Sequence, residues 1–116
     1  MPLPTVTATR MVQLDYTRPV SFQVEVGNAM VGGTTWHCLS QSGACKGDEV
    51  SLDDTANLQF STLFLTTTVE DDNPATDNTV VTYHIRNGDS VQSFPFSFTL
   101  PDKSRFVVYL IDFTFI

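Results

Sequence analysis

The densest run of oxygen-bearing side chains is Glu70-Asp71-Asp72-Asn73-Pro74-Ala75-Thr76-Asp77-Asn78. Calcium takes roughly six to eight oxygens, chiefly from carboxylates and amide carbonyls on a bendable loop. Glu70, Asp71, Asp72, Asp77 and Asn78 are therefore candidate ligands, with calcium as the candidate ion. Asp53 and Asp54 join them if the bend at 50–58 lies at the same end of the fold. Asp, Asn and Pro are also the residues turns prefer, so a solvated turn explains the same run.

Two further constellations are weaker. His37, Cys38, Cys45 and His84 hold the donor types of a tetrahedral zinc site, and Met30 would add a copper-type axial ligand. His37 and Cys38 are adjacent, however, and neighbours on a strand point to opposite faces. Asn87-Gly88-Asp89-Ser90 echoes a Gly-Asp-Ser nucleophile, with His37 and Asp53 to complete a triad. Gly88-Asp89 is explained by a turn, and no glycine follows Ser90 to help form an oxyanion hole. Cys38 and Cys45 could meet across a hairpin turning at Gly43, where a bridge would add about 2.5 kcal/mol. Two spare thiols fit equally well.

Aromatic residues offer binding rather than catalysis. Trp36, beside His37, is the candidate platform for a sugar ring. Phe94, Phe96, Phe98, Phe106, Phe113 and Phe115 crowd the C-terminal third. At alternate positions such residues fill a sandwich core. The segment 106–116 is apolar on both faces apart from Asp112 and Thr114, and only one face of a strand meets its own core. The other face must be covered, or it remains an exposed apolar patch. A partner subunit, a loop or the Pro2-Leu3-Pro4 segment could cover it. Phe106, Val108, Leu110 and Ile116 are the candidate interface residues.

The elements that must position these groups are strands. Period-two alternation recurs in short segments: Val12, Leu14, Tyr16; then Val20, Phe22, Val24, Val26; then Val81, Tyr83, Ile85; then Phe94, Phe96, Phe98, Leu100. Segments 36–39 and 50–52 are short strands flanking the cysteine loop. Segment 58–69 is a longer strand, with Leu58, Phe60 and Phe64 on one face and Leu63 and Leu65 on the other. Gly27-Asn28, Gly32-Gly33 and 101–104 mark turns. Asn87-Gly88 is a hairpin signal of the type I′ kind. Pro95 lacks a ladder donor, which predicts an edge strand or a bulge there. The reading is an all-β chain of about eight strands, a two-sheet β-sandwich of Ig-like or jelly-roll type, as one domain over 1–116.

Composition agrees. The chain has 116 residues, nine of them Phe, and Thr outnumbers Lys and Arg combined. β-branched and aromatic side chains suit a pleated surface. Thirteen acids against six bases give a net charge of −7, which opposes nucleic acid and anionic membrane surfaces. No apolar run approaches the roughly 20 residues a spanning helix needs, and the first residues do not read as a signal peptide. The expectation is a non-enzymatic structural or assembly subunit. It would act through protein–protein contacts as a homo-oligomer or in a larger protein assembly, for example a virus particle or surface filament. Its expected place is an extracellular or virion surface. The alternative is a ligand-binding module, such as a calcium-dependent, lectin-like carbohydrate-binding domain.

Overall fold

The computed structural model describes residues 3–101 and 104–116. Nine strands follow one another: β1 (Thr5–Val12), β2 (Val20–Val26), β3 (Val31–Cys38), β4 (Gln41–Cys45), β5 (Glu49–Leu52), β6 (Thr62–Glu70), β7 (Asn78–Asn87), β8 (Ser90–Thr99) and β9 (Phe106–Phe115). They form a five-stranded sheet, β1-β9-β6-β3-β4, packed on a four-stranded sheet, β5-β2-β7-β8. The molecule is an all-β sandwich. β3–β4 and β7–β8 are hairpins, and the other connections cross between sheets. Every pairing is antiparallel except β1 on β9.

Alternation decides what the sheets enclose. β9 turns Val107, Tyr109, Ile111, Phe113 and Phe115 inward, β6 turns in Leu63, Leu65, Thr67 and Val69, and β7 turns in Val81, Tyr83 and Ile85. Phe113 anchors an aromatic cluster, its ring centroid 5.0 Å from Phe94 and 5.8 Å from Tyr83. The buried hydroxyls are all partnered. Tyr83 OH donates to Thr67 Oγ1 (2.8 Å), which also bonds Thr34 Oγ1 (2.9 Å). Tyr109 OH and Thr79 Oγ1 lie 2.6 Å apart, and Thr79 Oγ1 also bonds Phe98 O. Both links join one sheet to the other, and an unpartnered hydroxyl at these places would carry a desolvation cost.

Several local expectations are corrected. The alternation at 12–16 is not a strand: β1 ends at Val12, and Leu14 is buried from the crossing segment. Gly32-Gly33 lies inside β3, not in a turn. A Cβ on Gly32 would stand 2.8 Å from Val26 Cγ2 and 3.1 Å from Thr68 O, so close approach of the neighbours requires glycine there. Phe60 is 77 % exposed at positive φ, in the turn before β6, rather than on a strand face. The hairpin loop is Gly88-Asp89 and Asn87 pairs with Ser90; only Gly88 has positive φ (59°), the glycine-first arrangement of a II′ turn. Pro95 does fall on an edge strand, β8. Asp102 and Lys103, in the expected turn at 101–104, lie outside the described residues, as does Pro2.

Cys38 and Cys45 are separate buried thiols. Cys38 pairs with Gln41 while Cys45 faces Thr34, four positions further along β3. That offset is roughly 13 Å at strand rise, beyond the roughly 7 Å a disulfide can span. Gly43 is within β4, and the turn is made at Leu39-Ser40.

Candidate functional site

The two outer faces of the sandwich differ in kind. That of the four-stranded sheet is an ordinary wet surface. Arg86 Nε reaches Glu49 Oε1 at 2.9 Å, and Ser21 Oγ donates to the same oxygen at 2.9 Å. These two donors hold the Glu49 carboxyl below the usual carboxylate range. His84 bridges Ser93 Oγ (2.8 Å) and Glu25 Oε1 (3.2 Å) across the strands.

The outer face of the five-stranded sheet has few charges. Register places side chains in rows across it. One row runs Thr7, Leu110, Thr66, Thr35, Ala44; the next runs Thr9, Asp112, Phe64, His37, Ser42. A third carries Thr5, Val108, Thr68 and Gly33. Among the described residues of this face, Asp112 and Glu70 bear carboxylates, and Glu70 is engaged at the margin by Arg105 at 2.8 Å. Exposed apolar side chains collect here: Met11 (67 %), Val31 (43 %), Phe64 (41 %), Leu110 (40 %) and Phe106 (37 %).

A groove of about 390 Å³ runs over the middle rows, lined among others by Thr7, Thr9, His37, Phe64, Thr66, Leu110 and Asp112. Its most ordered feature is the His37–Phe64 pair. These residues are registered partners on β3 and β6, and their rings stack at 4.7 Å with planes 19° apart. The arrangement offers stacking, methyl contact and hydroxyl hydrogen bonding, which is recognition chemistry.

The residues singled out from sequence are distributed as follows. Phe106, Val108 and Leu110 stand on this face, on the outward side of β9. Ile116 follows β9, its N–H bonded to Val12 O and its carbonyl to Tyr16 OH. Leu3 is exposed and Pro4 O accepts from Val108 N, so neither covers the face. Trp36 points to the inner side of β3, edge-on to Phe22 at 5.3 Å. The outward aromatic platform is instead His37 with Phe64.

In the acidic loop, Asp71 and Asn73 cap their own turn, accepting from Asn73 N (3.1 Å) and Ala75 N (2.9 Å). Asn73 Nδ2 donates to Asn28 O, and Asn28 Nδ2 returns to Asn78 O. A shallow hollow is lined by Asp71, Asp72, Asn73, Pro74 and Asp77. Among the described residues, no group of three or more His, Cys, Asp or Glu is placed to hold a metal ion. His37 and His84 lie on opposite outer faces and both thiols lie inside, so the His–Cys set is not brought together. Nor is the triad: Ser90 starts β8 on the four-stranded sheet, and Asp53 N bonds the Gln41 side chain.

The threonines of β1 were missed by the sequence reading. Thr5-Val6-Thr7-Ala8-Thr9 carries the signal, an alternation whose outward positions are all threonine. Comparison of the chain with protein-family models, with curated proteins and with solved structures gives no match.

Proposed function

We propose that the protein is a non-enzymatic β-sandwich that works by protein–protein contact, as a structural or assembly subunit, through the outer face of its five-stranded sheet. The contrast between the two outer faces carries this reading. One carries the Arg86–Glu49 ion pair and the His84–Glu25 hydrogen bond; the other collects Phe64, Leu110, Phe106, Val31 and Met11 among threonines. A sheet surface facing only water would gain nothing from that collection, and a partner would bury it. A particle or filament subunit at an extracellular or virion surface is the setting such a face fits. Light scattering over a concentration series tests it. The wild type should exceed the mass of one chain, and Leu110→Lys, which puts a charge at the centre of the face, should lower that mass. A wild type that stays at one chain throughout would sink self-assembly.

The His37–Phe64 stack favours a second reading, a carbohydrate-binding groove. An aromatic ring beside the Asp112 carboxylate and the Thr9 hydroxyl matches a neutral sugar's apolar face and hydroxyl rim. Glycan titration followed by NMR separates the readings. Saturable shifts confined to His37, Phe64 and Asp112 and lost in Phe64→Ala would favour the sugar; their absence would favour the protein contact.

A further inference from the structure

The sandwich has four sheet edges, and three are guarded. β8 carries Pro95 in mid-strand. β5 is four residues long and begins with Glu49. β4 is five residues long and sewn to the chain after β5 by the Gln41 side chain, which bonds both Asp53 N and Asp53 O. Such devices stop an edge from templating another strand. β1 has eight residues and Arg10 as its one charge.

The polarity of this edge can be read from its ladder. Val108 N bonds Pro4 O and Ile116 N bonds Val12 O, so the even-numbered residues of β1 direct their backbone groups to β9. A strand's backbone groups alternate sides, so Thr5, Thr7, Thr9 and Met11 direct theirs away from the sheet. Arg10 Nη1 donates to Thr9 O at 3.0 Å, an exposed bond between adjacent residues that can be exchanged for a strand partner.

We infer that β1 is a docking edge for a second copy of this chain, paired antiparallel to its own counterpart about a two-fold axis at Thr7. This rests on the assembly reading and gives it a geometry. The pairing sets Thr7 against Thr7 and Thr5 against Thr9, all of them residues whose backbone groups are directed outward. Threonine opposite threonine is a favourable cross-strand pair. The same register sets Leu3 against Met11 at each end, and these two apolar side chains are 50 % and 67 % exposed in the single chain. It also keeps the two Arg10 side chains apart, each opposite Pro4. An edge that is its own complement closes on itself as a dimer, and the two five-stranded sheets become one continuous surface.

The test is molar mass by light scattering in the Leu110→Lys background, where the face contact is removed. That protein should keep twice the 12.9 kDa of one chain, and adding Thr7→Pro should halve its mass. Proline at position 7 removes an outward N–H and leaves the β1–β9 ladder intact. A Leu110→Lys protein already at one chain, or an added Thr7→Pro that leaves the mass at two, overturns the edge; the face is judged separately, by whether Leu110→Lys lowers the mass from that of the wild type. If a circular dichroism melt shows that Thr7→Pro does not fold, Thr7→Lys and Thr7→Glu take its place. Each alone should be monomeric and their equimolar mixture dimeric, since position 7 meets only itself. A mixture that stays monomeric overturns the inference.

Discussion

The side-chain amide of Asn87 and the backbone of Asp15 hold each other by two hydrogen bonds, Asp15 N to Asn87 Oδ1 at 2.7 Å and Asn87 Nδ2 to Asp15 O at 3.0 Å. The amide acts as one more rung beyond the end of β7. It also donates to Pro19 O at 3.2 Å, so the segment crossing between sheets is tied to the hairpin. Gly88 fits underneath: a Cβ there would lie 2.7 Å from Arg18 Cδ.

Asn87→Ala would leave the Asp15 amide without its acceptor, while the Asp15 and Pro19 carbonyls keep their bonds from Arg18 N and Gly88 N. The expected loss is roughly 1–3 kcal/mol, read from urea denaturation. Asn87→Asp keeps the acceptor and loses the donor, so it should fall between wild type and alanine. Equal stability of all three proteins would mean the clamp contributes nothing.

Thr67→Val removes the oxygen shared by Tyr83 and Thr34 while keeping the volume. Roughly 1–3 kcal/mol should be lost for the hydroxyls left unpaired in the core. Removing the Tyr83 hydroxyl as well, by Tyr83→Phe, should cost less than the sum of the two single changes. Full additivity in this double-mutant cycle would contradict the link.

Both cysteines should resist labelling in the native protein. Burial pushes the Cys38 and Cys45 thiols up, although Ser61 near Cys38 Sγ opposes this in part. A thiol reagent reacts with the thiolate, so labelling should follow unfolding and appear in urea. Fast labelling without denaturant would show that the β3–β4 hairpin opens locally.

Stability should fall on the alkaline side. Burial raises the two thiols above their usual 9.0, and Tyr83, Tyr109 and Tyr16 above their usual 10.0. Unfolding releases these protons earlier than the native state does. The contribution is complete below about pH 9 and is lost as pH rises, at up to about 1.4 kcal/mol per pH unit for each of the four buried groups and by less for the partly exposed Tyr16. Carboxylates act in the opposite sense. Asp15 is lowered by Thr17, Asp48 by the Lys46 amide and Glu49 by Ser21 and Arg86, so stability is lost as pH falls through their native values. Thermal melts from acid to alkali should trace a plateau with a fall at each end. A flat alkaline limb would contradict the buried phenols.

Much of the architecture was legible because alternation is a local signal. Val81, Tyr83 and Ile85 entered the core as read, and Pro95 marked an edge. Where it failed, a long-range partner decided. Leu14 continues the alternation of Val12, yet the chain has already left its ladder for the Asn87 clamp. Gly32 resembled a turn, and only the approach of Val26 and Thr68 reveals a packed strand. The doubly apolar character of β9 pointed to Leu110 and Phe106. Nothing local could join them to Phe64, His37 and the threonines of β1, because that face exists only once register is set.

The parallel pairing of Thr5 with Val108 also orders events during synthesis. β1 has no ladder of its own in this sheet until β9, eight strands later in the chain, is present to receive it. Contacts so far apart in the chain form slowly, because a large loop closes before any hydrogen bond compensates. While β1 is unseated, the adjoining edge of β9 is bare and takes any extended segment of suitable sequence. The same seam that finishes the sheet is therefore the place where a chaperone, a strand exchanged with a neighbour, or a peptide copy of β1 could enter.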